Sequence, residues 1–202
     1  FFRQVLGYTG NIEVTHNGCH YEKYPVVQTP PQQREPLVAY WSSPDRGLHH
    51  LLEAWPSVRA KRPDAKLRVH YEIARLFKTA DEQRAYANFH ALARVDRLRE
   101  AVARVQHMPG VSFTGMIPRA TLRRFQCETR VMCYPLDPTY YTEGFGGSMP
   151  EAMAAGALPL TRAVDAFPSI HGGATRWIQG DPWTSDFVKQ LADQILEALT
   201  WT

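Results

Sequence analysis

From residue 36 onward, short apolar runs alternate with longer stretches in which apolar residues recur every three or four positions. That is the pattern of repeated strand–helix units feeding a mainly parallel sheet. "PLVAYW" predicts a first strand, and in the following "GLHHLLEAWPSVRAKRP" Leu48, Leu51, Leu52 and Trp55 line one face of a helix. "AKLRVHY" predicts a second strand, and residues 81–106 one long Arg-rich helical region with Ala, Leu and Val on its inner face. "VSFTG" and "RATLRRFQCET" add a strand and a short helix, and "RVMCYPL" and "ALPLT" two further strands. Between these last two, a loop over 137–147 leads into a helix predicted over 148–155, with Gly156 as its stop. An irregular Gly- and Pro-rich stretch follows, and Phe187, Leu191, Ile195 and Leu199 then define a closing amphipathic helix. The fold class expected is α/β, a doubly wound, Rossmann-like parallel sheet.

Residues 1–35 break this rhythm. Asn17-Gly18 is a turn pair and the end is Pro-rich, so this part reads as a leader and residues 36–202 as the domain. A chain of 202 residues holds one full-sized core. No apolar run approaches the roughly 20 residues that would span a bilayer. A net charge of +3 is too small for a general polyanion binder, so no nucleic-acid partner is expected, while a local basic patch for phosphate stays open. Cys19, Cys127 and Cys133 are odd in number and unpaired in spacing, which points to a reducing, cytoplasmic setting. With neither a starting Met nor a signal-like opening, the chain is expected to be part of something longer.

The candidate chemistry sits in "YYTEGFGGSMPEAMAAG", where two glutamates stand eight positions apart around three glycines. In an open parallel sheet, ligands bind beyond the carboxyl ends of the strands, where such a loop lies. Gly144, Gly146 and Gly147 let the backbone approach a ligand closely, and the helix start beyond them offers unpaired N–H groups to a phosphate or diphosphate. Ser148 is expected as N-cap and Pro150 in the first turn. Glu151 and Glu143 would flank the ligand, a carboxylate being the usual partner of a ribose diol. A turn whose first-turn Glu answers only to the helix dipole is the alternative.

Glu143-Gly144-Phe145-Gly146 followed by Glu151-Ala152-Met153-Ala154-Ala155-Gly156 resembles the E-x7-E signature of the retaining, nucleotide-sugar-dependent glycosyltransferases with two Rossmann-like domains, the GT-B fold of group 1 type. "SSPDRGLHHLLEAWP", about 100 residues upstream, is similar to the family segment in which a basic residue before a Gly opens the first helix of the C-terminal domain. "VSFTGMIPRATLRRFQCETRVMCYPL" and "IEVTHNGCHYEKYP" resemble the family's approach to the motif and its interdomain crossing. The resemblance covers nearly the whole chain but only the C-terminal half of such an enzyme. It implies transfer of a sugar from a nucleotide diphosphate sugar to a hydroxyl acceptor, with retention. It also implies Arg46-Gly47 at the donor diphosphate, Glu151 at the ribose, Glu143 as the catalytic glutamate near the donor sugar, and the backbone of Gly144, Phe145, Gly146, Gly147 and Ser148 around sugar and phosphates. Met116 and Ile117 would meet the base. No cofactor and no metal are implied, because Arg46 and the fixed dipoles neutralise the leaving group. The acceptor-binding N-terminal domain would be a missing partner, the isolated chain inactive or weakly active, and peripheral membrane contact open to the parent enzyme.

The chain departs from the family pattern at Trp41, where an Arg is common, at Gly147-Ser148-Met149-Pro150, and at His70-Tyr71-Glu72, where a Gly-rich turn is common. "GFGGSM" is no dinucleotide fingerprint, since loop residues separate it from its strand and Met149 replaces the last Gly. His49-His50, and His16 and His20 with Cys19, lack metal-ligand spacing and read as surface or interdomain histidines. Arg119, Arg123 and Arg124 form a basic helix face, residues 92–104 a charged outer face, and Trp177, Trp183 and Trp201 core or interface positions. A non-catalytic interaction module, and a sugar-nucleotide epimerase or sugar phosphorylase on a similar fold, are the competing functions.

Overall fold

The computed structural model describes residues 4–11, 13, 17–25, 29–84, 89–137 and 143–200. His16, Trp201 and residues 138–142 of the expected loop over 137–147 lie outside them. The five expected strands form as β1 (Leu37–Tyr40), β2 (Lys66–Val69), β3 (Val111–Phe113), β4 (Val131–Tyr134) and β5 (Leu158–Thr161). A sixth, β6 (Arg176–Trp177), was not expected, because two residues carry no periodicity. All pairings are parallel and the order is β3-β2-β1-β4-β5-β6. This is a doubly wound Rossmann-like sheet.

The helices are α1 (Leu48–Lys61), α2 (Ile73–Glu82), α3 (Phe89–Val105), α4 (Arg119–Glu128), α5 (Ser148–Ala154), α6 (Phe167–His171) and α7 (Phe187–Thr200). Two of them correct the expectation of one helical region over 81–106. Ile73, Leu76 and Phe77 give α2 an inner face at i, i+3 and i+4, a signal too short to stand out among the charges around it. Short α6 lies in the stretch expected to be irregular. β1, β4 and β5 are buried along their whole length, as strands with both faces covered must be. On one face α1 is wedged between α3 and α7, which explains why so much of its circumference is apolar or buried.

Between β1 and β4 the strand order reverses, so the loops leaving them part to opposite sides and open a crevice. The loop after β1 crosses this crevice against the loop after β4. Gly47 has φ +111° there, and a Cβ on it would strike the backbone carbonyl oxygen of Pro135. Only glycine permits that approach. The Asp137 N–H donates to the Arg46 carbonyl at 3.3 Å and pins the two loops together.

Candidate functional site

Arg46 ends a single 3-10 turn, Pro44–Arg46, at the mouth of the crevice. Its Nη1 donates to Oε2 of Glu143 at 2.5 Å, joining residues 97 apart in sequence across the switch point. The Tyr134 hydroxyl, at the end of β4, donates to the same Oε2 at 3.2 Å, and the Gly146 N–H donates to Oε1 at 3.0 Å. Burial, with the Glu143 charge beside it, pushes the Tyr134 phenol up to about 12, so it stays a donor. Glu143 therefore already accepts three hydrogen bonds of the roughly four a carboxylate can take. Its own N–H donates to Asp165 Oδ2 at 2.9 Å.

The glycines divide in role. Gly146 has φ +66°, and a Cβ on it would collide with the Phe167 ring. Its amide is turned inward onto Glu143, which removes it from the set of backbone donors expected to face a phosphate. Gly144 and Gly147 have open space where a Cβ would stand. Phe145 packs its ring on His171, which also hydrogen-bonds the Phe145 carbonyl at 2.7 Å. Ser148 is not the N-cap. Gly147 holds that position and no side chain caps the helix, because the tight turn closed by Glu143 carries the chain into helical geometry one residue early. Gly156 ends α5 as expected, with φ +66°.

On the first turn of α5, Glu151 receives Gln126 Nε2 at 3.0 Å and Arg119 Nη2 at 3.1 Å, one on each oxygen. About two acceptor positions remain, which suits a vicinal diol. The buried amide of Gln126 positions this carboxylate, whereas Arg119 is two-thirds exposed and free to follow a ligand. Glu143, Phe145, Gly146, Gly147 and Glu151 line one cavity of about 560 Å³, together with Arg119, Arg123 and residues 17–20. Cys19 Sγ donates to the Pro150 carbonyl at 3.4 Å, and Tyr24, whose phenol is raised by burial and then by the Glu151 charge, faces the same space.

Met116 and Ile117 do not reach that cavity. They line a second one of about 620 Å³ over the ends of β2 and β3, and Arg119 stands in the walls of both. Trp41 is buried and offers no substitute for the Arg common at that place in the resembled family. His70 is likewise buried, stacked on Phe125 and bonded through Nδ1 to the Thr114 hydroxyl at 3.0 Å.

His49 and His50 correct the expectation of surface or interdomain histidines: both are about 1% exposed. Because α1 is covered on both sides, His49 faces Asp137 and Arg94, while His50 packs edge-on against Phe187 of α7. His49, His50 and Asp137 bring ligand-type atoms within 4.8 Å of one another, and they are the residues placed to hold a metal ion among those described. Asp137 also lies 4.0 Å from Arg94, and Arg97 adds positive charge, an arrangement that opposes a dication. Arg94 itself is turned inward, so the expected charged outer face over 92–104 holds for Arg97 and Arg99, which pair with Glu53 and Asp81, but not for it. Of the tryptophans, Trp177 is half-buried and Trp183 exposed.

Several functional neighbours escaped sequence reasoning. Tyr134 read only as a strand residue, Gln126 as one polar residue in a short helix, and Asp165 had no signal but its place before a Pro-containing helix. Arg119 was legible only as part of a basic face.

The family model for glycosyl transferases group 1 matches residues 36–200. Among solved structures, the chain is similar to HepE of Anabaena in complex with UDP and glucose, at 16% identity and TM-score 0.63 over 93% of this chain and 47% of that one. It is similar to sucrose-phosphate synthase of Thermosynechococcus elongatus at 21% identity and TM-score 0.59, covering 90% of this chain and 42% of that one. It also matches α,α-trehalose 6-phosphate synthase of Burkholderia multivorans at 14% identity and TM-score 0.57, over 85% and 37%. The chain thus spans less than half the length of each of these. No curated protein matches it by sequence.

Proposed function

The chain belongs to the glycosyl transferases group 1 family, and on that premise we propose that it is the donor-binding part of an enzyme moving a sugar from a nucleotide diphosphate sugar to a hydroxyl acceptor, with retention at the anomeric carbon. The observation that carries this reading is the convergence of Arg46, Glu143 and Glu151 on the crevice at the sheet's switch point. The UDP and glucose held by the Anabaena structure support a nucleotide sugar as the ligand.

In this reading the donor diphosphate draws Arg46 away from Glu143. The guanidinium then stabilises the charge that develops as the bond between sugar and diphosphate breaks, with the amides of Gly144 and Gly147 as fixed donors. Release of Arg46 frees an acceptor position on Glu143 for a hydroxyl of the donor sugar. Glu151, held by Gln126, takes the ribose diol. Neither metal nor cofactor enters. Residues 1–35 form the crossing to an acceptor-binding N-terminal half, without which the chain turns over slowly or not at all, and the working compartment is the cytoplasm.

Titrating the 202-residue chain with UDP, GDP and ADP by calorimetry tests the reading. Saturable binding of one nucleotide, weakened by Arg46→Ala and by Glu151→Ala, is expected. If no nucleotide binds even after an N-terminal half is restored, the reading fails and a non-catalytic interaction module takes its place.

A further inference from the structure

The cavity beside the Glu151 cleft combines apolar side chains with two charged ones, Glu72 and Arg75, and Arg119 at its edge. Tyr71 and Met116, two of the few large apolar side chains exposed among the described residues, both open into it, with Leu76, Ile117 and Leu122 behind them. An exposed ring and thioether flanking an apolar floor suit a flat aromatic group. Arg119 borders both cavities and pairs with Glu151, so this space lies within reach of the base of a ribose that Glu151 would hold.

The polar groups of the cavity then decide which base. Glu72 lies against the tight turn at Gly115, its Oε2 within 3.2 Å of where a Cβ there would be. It is partly buried, and among the described residues its carboxylate has no hydrogen bond or ion pair. Arg75, one helical turn along α2, lines the same cavity. Resting on the donor-site reading above, we propose that this cavity takes guanine, the Glu72 carboxylate accepting from guanine N1–H and the 2-amino group, and Arg75 donating to O6.

The chemistry of the alternatives supports the choice. An ionised carboxylate only accepts. Guanine presents two adjacent donors and then an acceptor along its pairing edge, which complements Glu72 and Arg75 in order. Uracil presents a lone N–H between two carbonyl oxygens, so a carboxylate meeting that N–H also faces an acceptor. Adenine has one exocyclic amine beside an acceptor nitrogen. A partly buried carboxylate left without its donors is costly, which turns a mismatch into discrimination. The Anabaena structure holds UDP, but only 16% of positions are shared with this chain, so its base is no guide to this one.

The test is calorimetric titration of the full chain and of Glu72→Gln with GDP, IDP, XDP, UDP and ADP, with Arg46→Ala as the control for the diphosphate site. The unaltered chain is expected to bind GDP at least about tenfold more tightly than IDP, which lacks the 2-amino group, and than UDP or ADP. Glu72→Gln is expected to lose GDP and gain XDP, because the side-chain amide donates to the 2-oxo group. UDP or ADP binding more tightly than GDP, or Glu72→Gln weakening every nucleotide alike, overturns the base assignment while leaving the donor site standing. Binding of none, even after an N-terminal half is restored, overturns both.

Discussion

Arg46 and Glu143 meet at 2.5 Å across the crevice, one from the loop after β1 and the other from the loop after β4. The pair is partly buried, with 29% and 12% of the side chains exposed, so it is stronger than a surface ion pair and still within reach of a ligand. Each side chain of the pair occupies the group that the other would offer a sugar nucleotide. Arg46→Ala is expected to weaken nucleoside diphosphate binding by about tenfold or more, since a charge-assisted contact is worth about 1.5–3 kcal/mol. The same variant should bind the bare nucleoside unchanged, and equal losses for both, read by calorimetry, would remove Arg46 from the diphosphate.

Glu151 is assigned to a diol. Replacing it with Ala is therefore expected to abolish the preference for a ribonucleotide over its 2′,3′-dideoxy counterpart, a preference of about tenfold in the unaltered chain by the worth of hydrogen bonds to a charged group. Competition binding of the two nucleotides measures it. A preference that survives Glu151→Ala would move the ribose elsewhere.

Two glycines of the site answer differently to a methyl group. Gly146→Ala places a Cβ into the Phe167 ring at a positive φ, and is expected to destabilise the fold by about 1–3 kcal/mol. Gly144→Ala meets open space and should leave stability within about 0.5 kcal/mol while lowering nucleotide affinity. Urea unfolding beside calorimetry separates the two effects.

Acid should loosen the core through its histidines. Burial first, then the charges of Arg97 and Arg162 against the opposing Asp137, push His50 down to about 4, and burial with Arg68 does the same to His70. Both stay neutral in the folded chain while the unfolded chain takes up protons below about 6.5. Stability is thus complete above pH 6.5 and is lost as the pH falls from there toward 4, by up to about 3 kcal/mol for each group. His50→Leu is expected to flatten that loss between pH 6.5 and 5. An unchanged slope in denaturant midpoints across this range would show that His50 takes no part.

The alternation of apolar runs and helical spacings was enough to determine an α/β chain with a parallel sheet. β1 to β5 and α1, α4, α5 and α7 were legible because each carries a full period of its own. The glycines and glutamates of 143–151 marked a site for a similar reason: close backbone approach and paired carboxylates leave a local signature. Which strand lies beside which is not local. The reversal between β1 and β4 placed Arg46 on Glu143, and the wedging of α1 between α3 and α7 buried His49 and His50. Tyr134, Gln126 and Arg119 became partners of the two glutamates by the same long-range packing. Periodicity records which side of an element is apolar; only the tertiary structure decides what that side, and the polar one opposite, will face.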